Sequence, residues 1–343
     1  MSLVLITSDR FADHLTPPGH PERVERAEVM QVVASEWRRR GGEVLEPRPA
    51  TDEELTRVHE SDYVGAIRET AGRAVALDPD TFTSPESYDV ACLAAGAAVA
   101  AVDRVLDGPS GSRAFALVRP PGHHAERGRA MGFCLFNNVA VAAAGARARG
   151  VKRVAIVDYD VHHGNGTQWS FYEDSSVLYV SSHQFPYYPG TGAAHETGRG
   201  AGQGFTVNLP LEAGATSADY DLVYQRVVQP VLHQFEPELI LISAGFDAHR
   251  QDPLAGMRLG TQQFGRLTAM IATVADECCD GKVVALTEGG YDLQAFAASL
   301  STAIGVLAGE SSLDDFPAPN DATRRGEETL AAVRPLLTAQ WQI

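Results

Sequence analysis

The chain has 343 residues, 44% of them apolar and 21% charged, with a formal net charge of −16. That is the profile of a soluble globular protein, long enough for one large α/β domain or two small ones. Such an acidic balance disfavours nucleic acid and anionic membranes as partners and leaves cationic substrates open. Cys92, Cys134, Cys278 and Cys279 show no C-x-x-C spacing and read as reduced thiols of a cytoplasmic protein. The segment Met1–Thr7 lacks a basic region and the length of a signal sequence, and reads as a first strand.

In chain order, short apolar runs predict strands over Leu3–Ile6, Phe115–Val118, Val154–Val157, Val177–Val180, Leu239–Ile242 and Val283–Leu286. Helical patterns lie between them, over Glu22–Arg39, Ser61–Val75, Pro85–Leu106, Asn138–Arg149, Ala218–Phe235, Thr261–Cys278 and Leu293–Leu307. The alternation predicts an α/β fold: a mainly parallel central sheet with helices on both faces. The alanine-rich run Ala91–Val105 is interrupted by Asp103 and Arg104, which reads as a core helix rather than a membrane span. The stretch His183–Gly204, with two prolines, six glycines and three aromatics, reads as a long functional loop. Residues 1–343 read as one domain, in which a polar loop near 309–325 precedes a last helix.

The chemistry gathers where strands end. Val154–Val157 is followed by Asp158-Tyr159-Asp160-Val161-His162-His163, in which alternation puts Asp158, Asp160 and His162 on one side. The other strands run into Arg119-Pro120-Pro121-Gly122-His123-His124, Ser181-Ser182-His183, Ser243-Ala244-Gly245-Phe246-Asp247 and Glu288-Gly289-Gly290-Tyr291. Parallel strands bring these ends to one edge, where α/β folds bind ligands. Three protein ligands and an open position make a catalytic zinc site, and Asp160, His162 and Asp247 have the required donors. Of His123 and His124, one can take a proton from water and one can return it to a leaving amine. Tyr291 can donate to an oxyanion, and Asp158 is free to orient a histidine. His14, His20, His59, His195 and His233 read as surface or structural, and His163 as core. Nothing visible lowers the pKa of Cys134, which argues against a nucleophilic role.

These residues sit in a set of motifs: RPPGHHA at 119–125, GFCLFNNVA at 132–140, DYDVHHGNGTQ at 158–168, PGTG at 189–192, GFDAHRQDPL at 245–254 and EGGY at 288–291. With them, from His20 to Tyr291, the chain resembles the zinc-dependent histone deacetylase and acetylpolyamine amidohydrolase family, of the arginase/deacetylase fold. The resemblance implies one catalytic zinc on Asp160, His162 and Asp247. It implies His123 and His124 as tandem histidines partnered by Asp158 and Asn165, and Tyr291 as the residue that polarises the acetyl carbonyl. Phe133 and Tyr188 correspond to the two aromatics of the acyl-lysine tunnel, beside Gly132 and Leu254. The second aromatic is usually Phe, so Tyr188 is a departure. Asp80 aligns with a rim carboxylate and Arg26 with an arginine behind the site. The family also binds structural potassium. One such site matches Asp158, Asp160, His162, Ser181 and Ser182, and a second falls at Phe171, Asp174 and Val177.

The implied substrate is an acetylated lysine side chain or an acetylated small amine. Leu254, where polyamine-preferring relatives carry an acid or an inserted loop, tilts toward acetyl-lysine, while the charge of −16 keeps an acetylpolyamine open. A binuclear manganese ureohydrolase is the competing enzyme reading, but His249 stands where it needs a further acid. A non-catalytic acyl-amine binding module predicts the loss of a ligand or of Tyr291, and neither is lost. Oligomer formation is compatible with the sequence.

Overall fold

The computed structural model describes residues 2–343. Eight strands form one sheet in the order β2-β1-β5-β10-β9-β6-β7-β8, every neighbour parallel. They are β1 (Ser2–Ile6), β2 (Glu43–Leu45), β5 (Ser112–Ala116), β6 (Val154–Asp158), β7 (Val177–Gln184), β8 (Thr206–Leu211), β9 (Leu239–Ala244) and β10 (Val283–Thr287). A separate two-residue hairpin pairs β3 (Val75–Ala76) with β4 (Phe82–Thr83). The middle strands are apolar along their length because helices cover both faces; in β6, β9 and β10 every residue is buried.

The helices are α1 (Glu25–Arg39), α2 (Asp52–Thr56), α3 (Ser61–Arg68), α4 (Ser87–Asp107), α5 (Asn138–Ala148), α6 (Asn165–Phe171), α7 (Ser217–Val223), α8 (Gln229–Phe235), α9 (Thr261–Cys278), α10 (Leu293–Leu307) and α11 (Arg324–Leu337). The α/β expectation holds, and each of the six expected strands has a counterpart, but the one expected over Phe115–Val118 lies at Ser112–Ala116, since the Thr287 hydroxyl takes both the N–H and the carbonyl of Val118. Three further expectations need correction. The helix expected over Ser61–Val75 stops at Arg68, where the Thr70 hydroxyl bonds back to the Ile67 carbonyl and Gly72 turns at φ +75°. The helix expected over Ala218–Phe235 is interrupted by a π-turn at Tyr224–Val228, just ahead of Pro230. The loop expected from His183 begins two residues later, at Phe185, because β7 runs on to Gln184.

The chain order explains where a site can form. It passes from β5 to β6, then outward through β7 and β8, and returns to lay β9 and β10 between them. The carboxyl ends of β5, β10, β9 and β6 therefore stand side by side. The segment ahead of α1 is fastened to this edge by charge. Glu22, fully buried, accepts Arg119 Nε at 2.6 Å and Nη2 at 2.8 Å, and Arg26 Nη1 at 2.9 Å. Arg26 also bonds the carbonyls of Gly290, at 2.9 Å, and Glu288. One carboxylate thus ties α1 and the end of β5 to the turn after β10.

Burial alone would raise the Glu22 pKa, but Arg119 and Arg26 outweigh it and hold it near 2, against an ordinary 4.5. Its contribution to stability is therefore complete above pH 4.5 and fades as pH falls toward 2. Glu22→Gln leaves two buried guanidinium groups without counter-charge and is expected to lower stability by about 3–5 kcal/mol at neutral pH. Urea unfolding at neutral and at strongly acidic pH is the check: the gap between the two proteins should narrow in acid.

Candidate active site

Past the ends of β6 and β9, Asp160, His162 and Asp247 converge, and one donor atom from each lies within 4.8 Å of the others. They are the one group of metal-competent side chains found among the described residues. His162 Nδ1 lies 3.1 Å from Asp160 Oδ1 and 3.0 Å from Asp247 Oδ2. Ligands about 2.0–2.1 Å from a tetrahedral zinc stand roughly 3.3 Å apart, so this spacing fits the ion. The outward oxygens are already satisfied: Asp160 Oδ2 accepts Gly289 N–H at 2.7 Å and Asp247 Oδ1 accepts Val161 N–H at 2.8 Å. Gly289 approaches so closely that a Cβ there would collide with both carboxylates. Burial and the neighbouring Asp160 charge push Asp247 up to about 7. Burial disfavours charge on His162 too, yet the two carboxylates outweigh it and raise it to about 10. The group therefore attracts a cation to Nδ1, whether a proton or a metal ion.

The tandem histidines have unlike partners. His123 Nδ1 meets Asp158 Oδ2 at 3.0 Å, and the Tyr179 hydroxyl donates to the same oxygen at 3.0 Å. His124 Nδ1 meets Asn165 Oδ1 at 2.8 Å. The Asn165 amide is oriented by Glu126, whose Oε1 accepts its Nδ2 at 2.7 Å. Its oxygen must therefore face His124, which places the His124 proton on Nδ1 and leaves Nε2 bare. Electrostatics separates the pair further. Burial opposes charge on His123, but Asp160 and Asp158 raise it to about 10. Burial and the charges of His123 and His162 push His124 well below its ordinary value.

Tyr291 is buried, held by its N–H donating to Asp252 Oδ2 at 2.7 Å. The other Asp252 oxygen accepts Leu254 N–H at 3.0 Å, so one carboxylate sets both residues. The Arg26 guanidinium lies 5.2 Å from the Tyr291 ring centre, on its inner side. Phe133 stands edge-on to Tyr291 at 5.9 Å, and Tyr188 edge-on to His124 at 5.2 Å. Both aromatics thus border the histidine and tyrosine groups. Phe133 adopts φ +69°, a left-handed conformation that costs about 1–2 kcal/mol in a side-chain-bearing residue. Its N–H is held by the Thr81 hydroxyl at 3.1 Å. Gly132, at φ +56°, passes so close to the His124 ring that a Cβ would collide with it. A cavity of about 490 Å³ opens beside these groups, lined by His20, Arg23, Pro253, Leu254 and Tyr291.

His20 and Glu288 are placed here in roles that the sequence did not show. His20, read as bland, packs edge-on to Phe133 at 4.6 Å and meets the Asp80 carbonyl at 3.0 Å. Asp80 is half-buried, and burial together with Asp78 raises its pKa. Glu288 accepts from Gly122 N–H at 2.7 Å, His123 N–H at 3.2 Å and Ser243 Oγ at 3.0 Å, linking three strand ends. Its motif was visible but its role was not. His163 is core, as expected, between Thr191 and Gln168. Burial raises Cys134 well above its ordinary value, in line with an inert thiol. Asp158 pairs with Ser181 in register across β6 and β7, next to Ser182. Phe171, Asp174 and Val177 form the turn from α6 into β7.

The profile of the Histone deacetylase domain family matches residues 20–307. The chain belongs to the histone deacetylase family. Among its relatives, histone deacetylase 10, chloroplastic, of Oryza sativa subsp. japonica is 40% identical over 316 residues, covering 86% of this chain and 71% of that protein. A probable deacetylase of Archaeoglobus fulgidus is 37% identical, covering 90% of this chain and 86% of its own. Polyamine deacetylase HDAC10 of Homo sapiens is 37% identical over 93% of this chain and half of its own length. The crystal structure of the HDA15 HD domain superposes with a TM-score of 0.91 at 38% identity, over 99% of this chain and 95% of that one. Membership in the family supports hydrolysis of acetyl-amide bonds. No helix among the described residues is long and apolar enough to cross a membrane.

Gly132→Ala is expected to displace the His124 ring and lower deacetylase kcat/KM by about a hundredfold or more, because ångström shifts of catalytic groups cost that much. Circular dichroism should stay unchanged, since the substitution lies outside helix and sheet. Turnover within twofold of the unsubstituted chain would contradict the packing argument.

Proposed function

We propose that the protein is a zinc-dependent amidohydrolase that removes an acetyl group from an acetylated amine, with the lysine side chain as preferred carrier. The observation that carries this reading is the convergence of one imidazole nitrogen and two carboxylate oxygens beside two imidazoles with opposite partners. Asp160, His162 and Asp247 would hold the ion, which when bound supplies Lewis acidity toward water and an amide carbonyl. The chain's own groups do the rest. Phe133 and Tyr188 enclose an apolar acyl-lysine stem, with Gly132 and Leu254 beside them. His124 Nε2, bare because Asn165 fixes the other nitrogen as donor, takes a proton from the attacking water. His123, kept charged by Asp160 and Asp158, stabilises negative charge that develops beside it and can return a proton to the leaving amine. The Tyr291 hydroxyl donates to the carbonyl oxygen as it becomes an oxyanion. The products are acetate and the free amine. Structural potassium belongs to this reading, on the carbonyl groups of Asp158, Asp160, His162, Ser181 and Ser182, and at the turn of Phe171, Asp174 and Val177.

A second reading, acetylpolyamine as substrate, draws on the acids Asp78 and Asp80 at the rim, which suit a second ammonium group. Leu254 offers no acid at the mouth and favours acetyl-lysine. Metal analysis of the purified chain should return one zinc per chain. A side-by-side assay should give the higher kcat/KM on an acetyl-lysine peptide than on acetylputrescine. Two transition-metal ions per chain would instead favour the ureohydrolase chemistry, and much faster polyamine turnover would reverse the substrate assignment.

Asn165→Asp sets a carboxylate against His124 Nδ1 and should raise the His124 pKa by about one unit or more. A base must be neutral to act, so the acidic limb of the kcat/KM profile is expected to move to higher pH by the same amount. An unmoved limb would remove His124 from the role of base.

A further inference from the structure

Away from the strand-end site, a second cavity of about 620 Å³ opens at the start of α9, lined by Arg250, Arg258, Thr261, Gln262 and Gln263, with Asp321 on its far wall. Arg250 and Arg258 are exposed, and neither side chain has an ion-pair or hydrogen-bond partner among the described residues. Arg266, deeper in the wall, is already engaged: Asp221 accepts its Nε and Nη2, and the Phe316 carbonyl accepts its Nη1 at 2.9 Å. The 18-residue α9 begins at Gly260, which supplies no side-chain cap. The N–H groups of Thr261 and Gln262 therefore find no acceptor among the described residues. Gln263 is 4% exposed and its Nε2, a buried donor, has no partner. A buried amide without a partner is uncommon and calls for a missing acceptor.

We propose that this cavity is a binding site for a phosphate-bearing small molecule, held by Arg250, Arg258 and the amino end of α9. Apart from Asp321, the unmatched charged groups here are donors, and the set combines two guanidinium forks with a helix amino end, the arrangement that suits phosphate oxygens. The number of donors and the size of the cavity exceed what one acetate ion needs, which favours a diphosphate over a simple carboxylate. Asp321 is the one acidic side chain lining it, and it opposes the two free arginines. The site is joined to the metal-competent group by a short path. Arg250 follows Asp247 by three residues, its N–H donates to the Leu259 carbonyl at 2.9 Å, and His249 bridges to Leu259. An anion at α9 would therefore brace the loop that carries Asp247 and Leu254.

Calorimetric titration of the full chain with pyrophosphate, at constant ionic strength, tests the site without any reading of activity. Saturable one-site binding is expected, tighter than for orthophosphate, with none for acetate. Arg250→Gln and Arg258→Gln should each weaken it at least about tenfold, since hydrogen bonds to charged groups are the stronger class. Both positions are exposed, so unfolding midpoints and basal deacetylation should be unchanged. Arg258→Lys, which keeps the charge but not the fork, should fall between. Absence of saturable binding in the millimolar range would overturn the proposal, as would binding that survives both glutamine substitutions or that acetate matches.

Discussion

Two carboxylates with no solvent exposure, Asp160 and Asp247, lie on either side of one imidazole. Like charges in a dry interior cannot both stay ionised without a cation between them. The fold supplies part of the compensation from its backbone: the N–H groups of Val161, His162 and Gly289 each donate to one of these carboxylates. Such donors are available because parallel strands end here, leaving main-chain groups past the last ladder bond. Gly289 admits the close approach that any side chain would block. What remains uncompensated points inward at His162 Nδ1, and that residual demand for positive charge is what makes the cluster a place for a metal ion.

The same logic separates the tandem histidines. Adjacent in sequence and with ring centres 4.1 Å apart, they would titrate alike in water. Asp160 and Asp158 raise His123 against its burial, while burial and the charges of His123 and His162 lower His124, which has only the neutral Asn165 carboxamide behind it to resist them. Glu126 completes the difference, because its acceptor oxygen decides which end of Asn165 faces His124. The acid and base assignments of the proposed reaction thus rest in part on a residue two positions beyond the histidine pair, at the edge of the buried network.

The sheet and the strand-end chemistry were legible because both are written in local pattern. A both-faces-buried strand is a continuous apolar run, and a polar residue at its carboxyl end stands out. What the sequence hid had no such pattern. β2 is three residues long and carries Glu43, and β8 contains Pro210; edge strands tolerate both, so neither reads as strand. α6 opens on Asn165-Gly166, residues that favour turns, and is settled by its packing instead. Glu22 and Arg119 look like surface charges in the sequence, since their pairing spans 97 residues. His20 and Glu126 reach the site through loops whose course no periodicity describes. The Ser61–Val75 helix failed for the opposite reason: its apolar spacing continued past the point where Thr70 and Gly72 turn the backbone.

Tyr291 shows how these distant parts meet in one group. A phenol can donate to an oxyanion only while it keeps its proton. Burial raises its pKa, Asp247 adds to that, and Arg26 works against both, leaving it well above the ordinary value. Arg26 can sit so near without ionising the phenol because its charge is already engaged by Glu22 and by the carbonyls of Glu288 and Gly290. Those two carbonyls belong to the same turn that carries Tyr291, so the guanidinium holds the turn in place. The carboxylate that fastens the amino-terminal segment to the sheet thereby also limits the pull of Arg26 on the tyrosine. A buried ion cluster that touches no substrate atom sets both the position and the protonation of the proposed oxyanion donor.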